Sequence, residues 1–255
     1  MSESKPSSND TAAVAFLIDS PMQAWGSSSR FQNRETEAFP TKSALLGLVA
    51  AALGIDKHGE DEGERLAEIA NLRATVCALP RAGKAETLRL TDFHTIGGGY
   101  DRKGSDVDRL SIPRKASGPP FGTVITRRTY LTDARFTASL EGSNLLIHQI
   151  ADALTDPLWG VWFGRKTCLP ALPLAPTIGK NSKAAFESLL ARVAEWDGRD
   201  LYELHALERW DEPDEGDPSE GDFHMSDSPV SFGDRIFTTR PVRHHRPLPG
   251  HESPS

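Results

Sequence analysis

The chain has 255 residues, with 29 Lys and Arg against 36 Asp and Glu for a formal charge of −7, and 38% of its residues are apolar. That composition supports a folded core, holds no apolar run near the ~18 residues that span a bilayer, and has an acidic total that speaks against indiscriminate nucleic-acid binding. Cys77 and Cys168 are too few for a disulfide scaffold or a CxxC metal site, so the expected setting is reducing and cytoplasmic, with no cofactor. Residues 1–11 are polar and carry Glu3 and Asp10, unlike a secretory or transit leader.

In chain order, Ala12 to Asp19 is a short run rich in Ala, Val, Phe and Ile that predicts a buried strand. Thr41, after Pro40, is a good N-cap for a helix whose face carries Ala44, Leu45, Leu48, Val49 and Ala52, with Gly54 as its stop. Arg73 to Leu79 predicts a second strand, and Thr87 to His94, Thr123 to Leu131 and Arg135 to Glu141 are expected to be extended. Asn144 can cap a helix through Leu154 that ends before Asp156-Pro157, and Leu158 to Gly164 is a further expected strand. The order strand, helix, strand, strand, helix, strand is the split βαβ pattern of ferredoxin-like folds, which RNA-binding RRM modules share. Fold alone does not assign function, and no RNP-type aromatic signature is present.

Charge is unevenly spread. Arg81 to Arg135 holds eleven basic and six acidic residues, a segment of +5 that leaves −12 for the rest. Trp159 to Phe186 carries Arg165, Lys166, Lys180 and Lys183 and no acid. Asp211 to Asp222 carries seven carboxylates and no base, which reads as a solvated loop or disordered insertion. Residues 244–255, rich in Pro and His, read as a mobile tail. The connection Thr95 to Thr123 contains six glycines and three prolines among Arg102, Lys103, Arg109, Arg114 and Lys115. A connection this long in a compact domain is usually functional or disordered. It reads either as a projecting basic arm or as a surface loop without a role.

Several motifs fail. GGGYDRKG lacks the GxxxxGK[ST] spacing of a phosphate cradle. His244-His245 has no nearby carboxylate or cysteine in a structured segment to complete a metal site. No serine or cysteine sits in a nucleophile elbow. One catalytic idea stays open: His94, Tyr100 and Lys103 lie close in sequence, and a metal-free ribonuclease needs only a positioned acid or base and cations for the phosphate. The other reading is that His94 anchors the base of the arm.

Four stretches carry a family resemblance: PMQAWG (Pro21 to Gly26), FPTKSALLGLVAAALGI (Phe39 to Ile55), LTDFHT (Leu90 to Thr95) with ITRRTYLTDARF (Ile125 to Phe136), and WFGRKTCLPALPL (Trp162 to Leu174). Together they resemble the CasD family, the Cas-five subunits of type I-E CRISPR Cascade, and DSPVSFGDRIFTTRPV is similar more loosely to that family's C-terminal region. The resemblance implies a non-catalytic subunit that binds and caps the five-prime handle of the guide RNA in antiviral defence. It implies an α+β, modified ferredoxin-like (RRM-like) domain over residues 12–165, with a long β-hairpin thumb at about 90–128. A smaller β-rich extension over 166–243, containing the acidic insertion 211–222, would follow. The implied partners are the guide RNA, the backbone subunit CasC, against which the thumb packs, the large subunit CasA nearby, and target DNA through the complex; no membrane is involved. Relatives in type I-C systems cut the precursor themselves, so a metal-independent endoribonuclease is the alternative.

A strand held in a bent shape needs cations for phosphates, planar groups for unstacked bases and edges for hydrogen bonding. Arg127 and Arg128 sit where the thumb rejoins the sheet, and the resemblance puts Arg128, before the YL pair, on the handle; the other reading is a surface arginine paired with Asp133. Tyr100 and His94 are stacking candidates or hinge and core residues. The helix start at Thr41, with Lys42 and Ser43, offers backbone N–H groups to a phosphate, or is simply capped and solvated. Arg165 and Lys166 lie in the acid-free stretch and read as RNA contacts. Trp25 reads as packing.

Overall fold

The computed structural model describes residues 11–26, 32–81, 87–96, 124–199, 202–213 and 221–247. Its elements are β1 (Thr11–Asp19), β2 (Met22–Gln23), β3 (Asn33–Arg34), α1 (Lys42–Leu53), α2 (Glu62–Ala70), β4 (Arg73–Ala78), β5 (Leu88–Ile96), β6 (Val124–Thr132) and β7 (Arg135–Ser143). After these come α3 (Asn144–Thr155), β8 (Thr177–Gly179), α4 (Ser182–Asp197), a single 3-10 turn at Leu204–Ala206, β9 (Arg209–Asp211), β10 (Phe223–Ser231) and β11 (Ile236–His245). The strands form two sheets. One is seven-stranded in the order β10-β11-β9-β4-β7-β1-β8; in the other, β6 lies between β2 and β3 on one side and β5 on the other. Pairing is antiparallel throughout except for the parallel β3–β6 contact.

β1 is buried along nearly its whole length because helices cover both faces of the sheet. Val14, Phe16 and Ile18 pack with Leu45, Leu46 and Val49 of α1 and Ile147 and Ile150 of α3. The alternate residues Ala13, Ala15 and Leu17 pack with Phe186, Leu189 and Val193 of α4. Period-2 alternation divides the strand between the two cores, which is why its sequence reads as one apolar run.

α1 starts and stops as expected: Ala44 N–H donates to Thr41 Oγ1 at 3.3 Å, and Gly54 takes the left-handed conformation at φ +69°. α3 begins at Asn144, so Ser143 rather than Asn144 stands at the N-cap position, and its side chain makes no capping bond. α2 and α4 lie in regions where no element was expected.

The expected strand over Leu158 to Gly164 does not form. Leu158 and Trp159 donate their backbone N–H groups to Ala52 O and Ala51 O at 2.9 and 3.2 Å. They cap carbonyls in the last turn of α1, of which Ala51 O also accepts the Gly54 N–H at 3.3 Å. The place beside β1 is taken instead by β8.

Residues 244 and 245 are also not a tail: they are the end of β11, paired with Trp210 and Arg209 of β9. His244 stacks on the Trp210 ring, centroids 5.1 Å apart, and Trp210 stacks on Phe39 at 4.5 Å. Among the described residues, no helix is long and apolar enough to cross a membrane.

Two buried groups set an alkaline limit on stability. Burial pushes the Cys77 thiol from its ordinary 9.0 up to about 12. Burial, then the hydrogen bond Tyr202 donates to Asp197, pushes the Tyr202 hydroxyl from 10.0 to about 12. In both, the unfolded chain releases the proton first. The stabilisation is therefore complete below about pH 9 and is lost as pH rises from there to about 12. We expect the melting temperature to fall steadily above pH 9 and Tyr202→Phe to flatten that fall above pH 10. A Tyr202→Phe profile parallel to the wild type would show that this group is not responsible.

Candidate nucleic-acid interface

β5 and β6 form a hairpin in continuous register, from Leu88 opposite Thr132 to Ile96 opposite Val124. Every residue of β5 is exposed. Successive side chains in a strand point to opposite faces, so the register fixes two surfaces. One carries Arg89, Thr91, Phe93 and Thr95 with Ile125, Arg127, Thr129 and Leu131. The other carries Leu88, Leu90, Asp92, His94 and Ile96 with Val124, Thr126, Arg128, Tyr130 and Thr132.

Arg127 and Arg128, adjacent in sequence, therefore belong to opposite surfaces. The Arg127 guanidinium lies 5.4 Å from the centroid of the Phe93 ring. Arg128 stands across from Asp92 in the register rather than beside Asp133, and its Nε donates to Thr126 Oγ1 at 3.1 Å. Thr126 Oγ1 in turn donates to the carbonyl of His94 at 3.3 Å. That backbone contact ties His94 into the hairpin while its residue remains exposed.

β3 runs beside β6 with Arg34 opposite Arg128, and Thr129 Oγ1 donates to Glu35 Oε2 at 3.1 Å. Next to these lies a cleft of about 380 Å³ between Arg34, Glu35, Trp162, Arg165 and the small-residue side of α1 at Ser43 and Gly47. Arg165 is committed to this framework. It donates to Thr129 O at 2.9 Å and to Arg34 O at 2.8 Å, and its guanidinium lies 4.4 Å over the Tyr130 ring. It thus clamps residues 162–168 to β6 and β3, and its first role is structural. Lys166 is exposed, with Nζ 5.5 Å from the Trp162 ring centroid, so its charge is available to solvent.

The expectation for the start of α1 is corrected. Lys42 is buried, at 4% exposure, and its ammonium lies 3.0 Å from Glu212. Burial holds that ammonium below its ordinary pKa, while Glu212 pulls the other way. Lys42 N–H donates to Asp227 Oδ2 at 2.7 Å, so a carboxylate of β10 occupies the position a phosphate would take at this helix end. Ser43 Oγ lies 3.2 Å from Thr41 Oγ1 and forms part of the cleft wall.

Asp227 also receives two bonds from Arg240, Nε at 2.7 Å and Nη2 at 3.0 Å. Glu212 accepts Ala74 N–H at 3.0 Å and lies 3.7 Å from Arg240 Nη1. Thus Asp211, in β9, and Glu212 belong to the packed structure, not to a solvated acidic loop. Residues 214–220 of that block lie outside the described residues.

Two cations of the basic stretch are also spent internally. Arg81 pairs with Asp19. Arg135 pairs with Asp197 at 2.5 Å and lies 2.9 Å from Asp19, the latter contact off the hydrogen-bonding direction.

Tyr100, Arg102, Lys103, Arg109, Arg114 and Lys115 lie outside the described residues. Trp25 is fully buried against Phe163, and its Nε1 donates to Gln23 Oε1 at 3.1 Å, as its packing role requires. Among the described residues, no three His, Cys, Asp or Glu side chains cluster as a metal site would need. Sequence reasoning missed Arg34, Glu35 and Phe93, whose placement depends on pairing with β6. It also missed Glu212, Asp227 and Arg240, which no local motif distinguishes from surface charges.

Comparison with known proteins agrees with this layout. The family model described as CRISPR-associated protein (Cas_Cas5) matches residues 13–243. CRISPR system Cascade subunit CasD from Escherichia coli (strain K12) is 30% identical over 165 residues, which cover 63% of this chain and 68% of that protein. A chain of a solved CRISPR RNA-guided surveillance complex is 26% identical with a TM-score of 0.64, covering 92% of this chain and 91% of that one. A crystal structure of a Cas protein is 25% identical with a TM-score of 0.54, covering 91% and 93%. The match runs from within β1 to within β11, taking in the exposed hairpin together with the sheets that carry it, and the chain belongs to the Cas5 family of CRISPR-associated proteins.

Proposed function

We propose that this chain is the non-catalytic subunit of a type I-E Cascade that binds and caps the five-prime handle of the guide RNA. The observation that carries the reading is the β5–β6 hairpin. It stands out of the second sheet with both faces of β5 exposed, bears Arg127 and Arg128 on its return strand, and opens at Ile96 and Val124 onto the Gly/Pro-rich basic segment. Such a projection, with cations and an exposed aromatic, suits a single strand held away from duplex geometry.

The β4-β7-β1-β8 order, with α1 and α2 before β4 and α3 before β8, supports reading the core as ferredoxin-like and the hairpin as its thumb. In this reading the thumb packs against CasC, CasA docks nearby, and target DNA is met only through the complex.

The test is co-expression with the other Cascade subunits and a repeat array, followed by sequencing of the co-purified RNA. Repeat-derived handles should be retained and left uncut. Arg128→Ala should weaken handle binding and complex assembly at ~0.2 M salt, and should reduce the salt slope by ~0.7 for a lost single-strand phosphate contact. Normal assembly of Arg128→Ala would remove that residue from the interface. Site-specific cuts lost on mutating His94 or Lys103 would replace the binding role with the ribonuclease one.

A further inference from the structure

We propose that Phe93, with Arg127 over its ring, is the platform on which one unpaired base of the bound RNA stacks; this rests on the RNA-binding reading above. Phe93 is 63% exposed at the middle of a strand, where a large aromatic has no packing reason to stand in water. The guanidinium 5.4 Å from its centroid belongs to its cross-strand partner, so the ladder itself holds the cation beside the ring.

Among the described residues, no carboxylate is paired with Arg127. The β5 and β6 residues of this face include two arginines, Arg89 and Arg127, and no acid, with Glu35 reaching only its buried end at Thr129. One step along the same face the exposed Thr91 has its hydroxyl 3.5 Å from that of the buried Thr129, which donates to Glu35. An exposed ring with a cation beside it is what an unstacked base engages on a single-strand binding surface.

The opposite face has a different character. Leu88, Leu90 and Ile96 are exposed there with Asp92 and His94, and Arg128 stands opposite Asp92, so this face is more aliphatic and carries charges of both signs. His94 lies on that second face, so it and Phe93 do not share one base. Stacking reads no hydrogen-bonding edge, so the position it serves should tolerate any base.

The experiment places 2-aminopurine at each handle position in turn, in the assembled complex, and follows its fluorescence. One position should be quenched in the wild type, released in Phe93→Ala and still quenched in Phe93→Tyr. Phe93→Ala should lower handle affinity about five- to a hundredfold, and an abasic site at the quenched position should remove the difference between wild type and Phe93→Ala. Changing the base at that position should alter affinity less than the Phe93→Ala substitution does.

Unchanged quenching and affinity in Phe93→Ala, with the wild type still binding the handle, would overturn the platform alone. A defect of Phe93→Ala that persists in subunit association without RNA would make Phe93 a protein contact and overturn it as well. Failure of the wild type to bind the handle would overturn the RNA-binding reading itself.

Discussion

Asp227→Ala should lower the unfolding free energy by about 3–5 kcal/mol, the usual cost of removing one member of a buried ion pair. Asp227 is 1% exposed and is the common acceptor for the Arg240 guanidinium and the first N–H of α1. Without it Arg240, itself buried, keeps, among the described residues, the more distant Glu212, and the N–H of Lys42 loses its acceptor away from water. Both losses act on one place, where the β10–β11 hairpin is fastened to the helix under the main sheet. A domain of this size is stable by only about 5–15 kcal/mol, so the variant should be marginal.

Asp227→Asn keeps an acceptor for the helix N–H and should lose less. The double substitution Asp227→Leu with Arg240→Met, which removes both charges, should recover part of the loss. Urea denaturation followed by circular dichroism measures all three. A loss below about 1 kcal/mol for Asp227→Ala would place the pair in the class of exposed bridges that contribute little.

Gly164→Ala should cost about 2–5 kcal/mol. Gly164 has φ +89°, outside the range side chains adopt readily, which adds ~1–2 kcal/mol for an L-residue. A Cβ there would stand 1.7 Å from the carbonyl oxygen of Ala24 and 2.8 Å from its carbon. Those are backbone atoms, so no side chain can swing away. The segments must part, at an overpacking cost of ~1–3 kcal/mol.

The damage would reach the candidate interface. Ala24 N–H donates to Phe163 O at 3.1 Å, and Arg165, the next residue, holds β3 and β6 through the carbonyls of Arg34 and Thr129. We expect the melting temperature of Gly164→Ala to fall by at least about 4 °C, with handle binding weakened as the hairpin loses its support. Gly63→Ala is the control: it lies inside α2 with nothing within 4 Å of a new Cβ, and should be neutral or stabilising by up to ~1 kcal/mol. Equal behaviour of the two variants would refute the close approach at Gly164.

The chain alone determined the elements whose signals are local. β1 is a continuous apolar run because both of its faces are covered; α1 is written by Thr41, its leucines and Gly54, and each of those residues does in the fold what its type does in any helix. The hairpin strands were also legible, from β-branched residues that need no distant partner to be read.

Tertiary structure decided where charge and the last strand go. Lys42 and Arg135 look like surface cations until Glu212 and Asp197 arrive from far along the chain to neutralise them. Residues 158–164 have strand composition, yet carbonyls at the end of α1 take the N–H groups of Leu158 and Trp159 and β8 takes the sheet position instead. The placement of Phe93 and Arg127 on one face of the hairpin and of Asp92, His94 and Arg128 on the other depends on register, and register is set by pairing between strands. Long-range pairing leaves no mark within the span of a motif, and that is why these features became visible only in three dimensions.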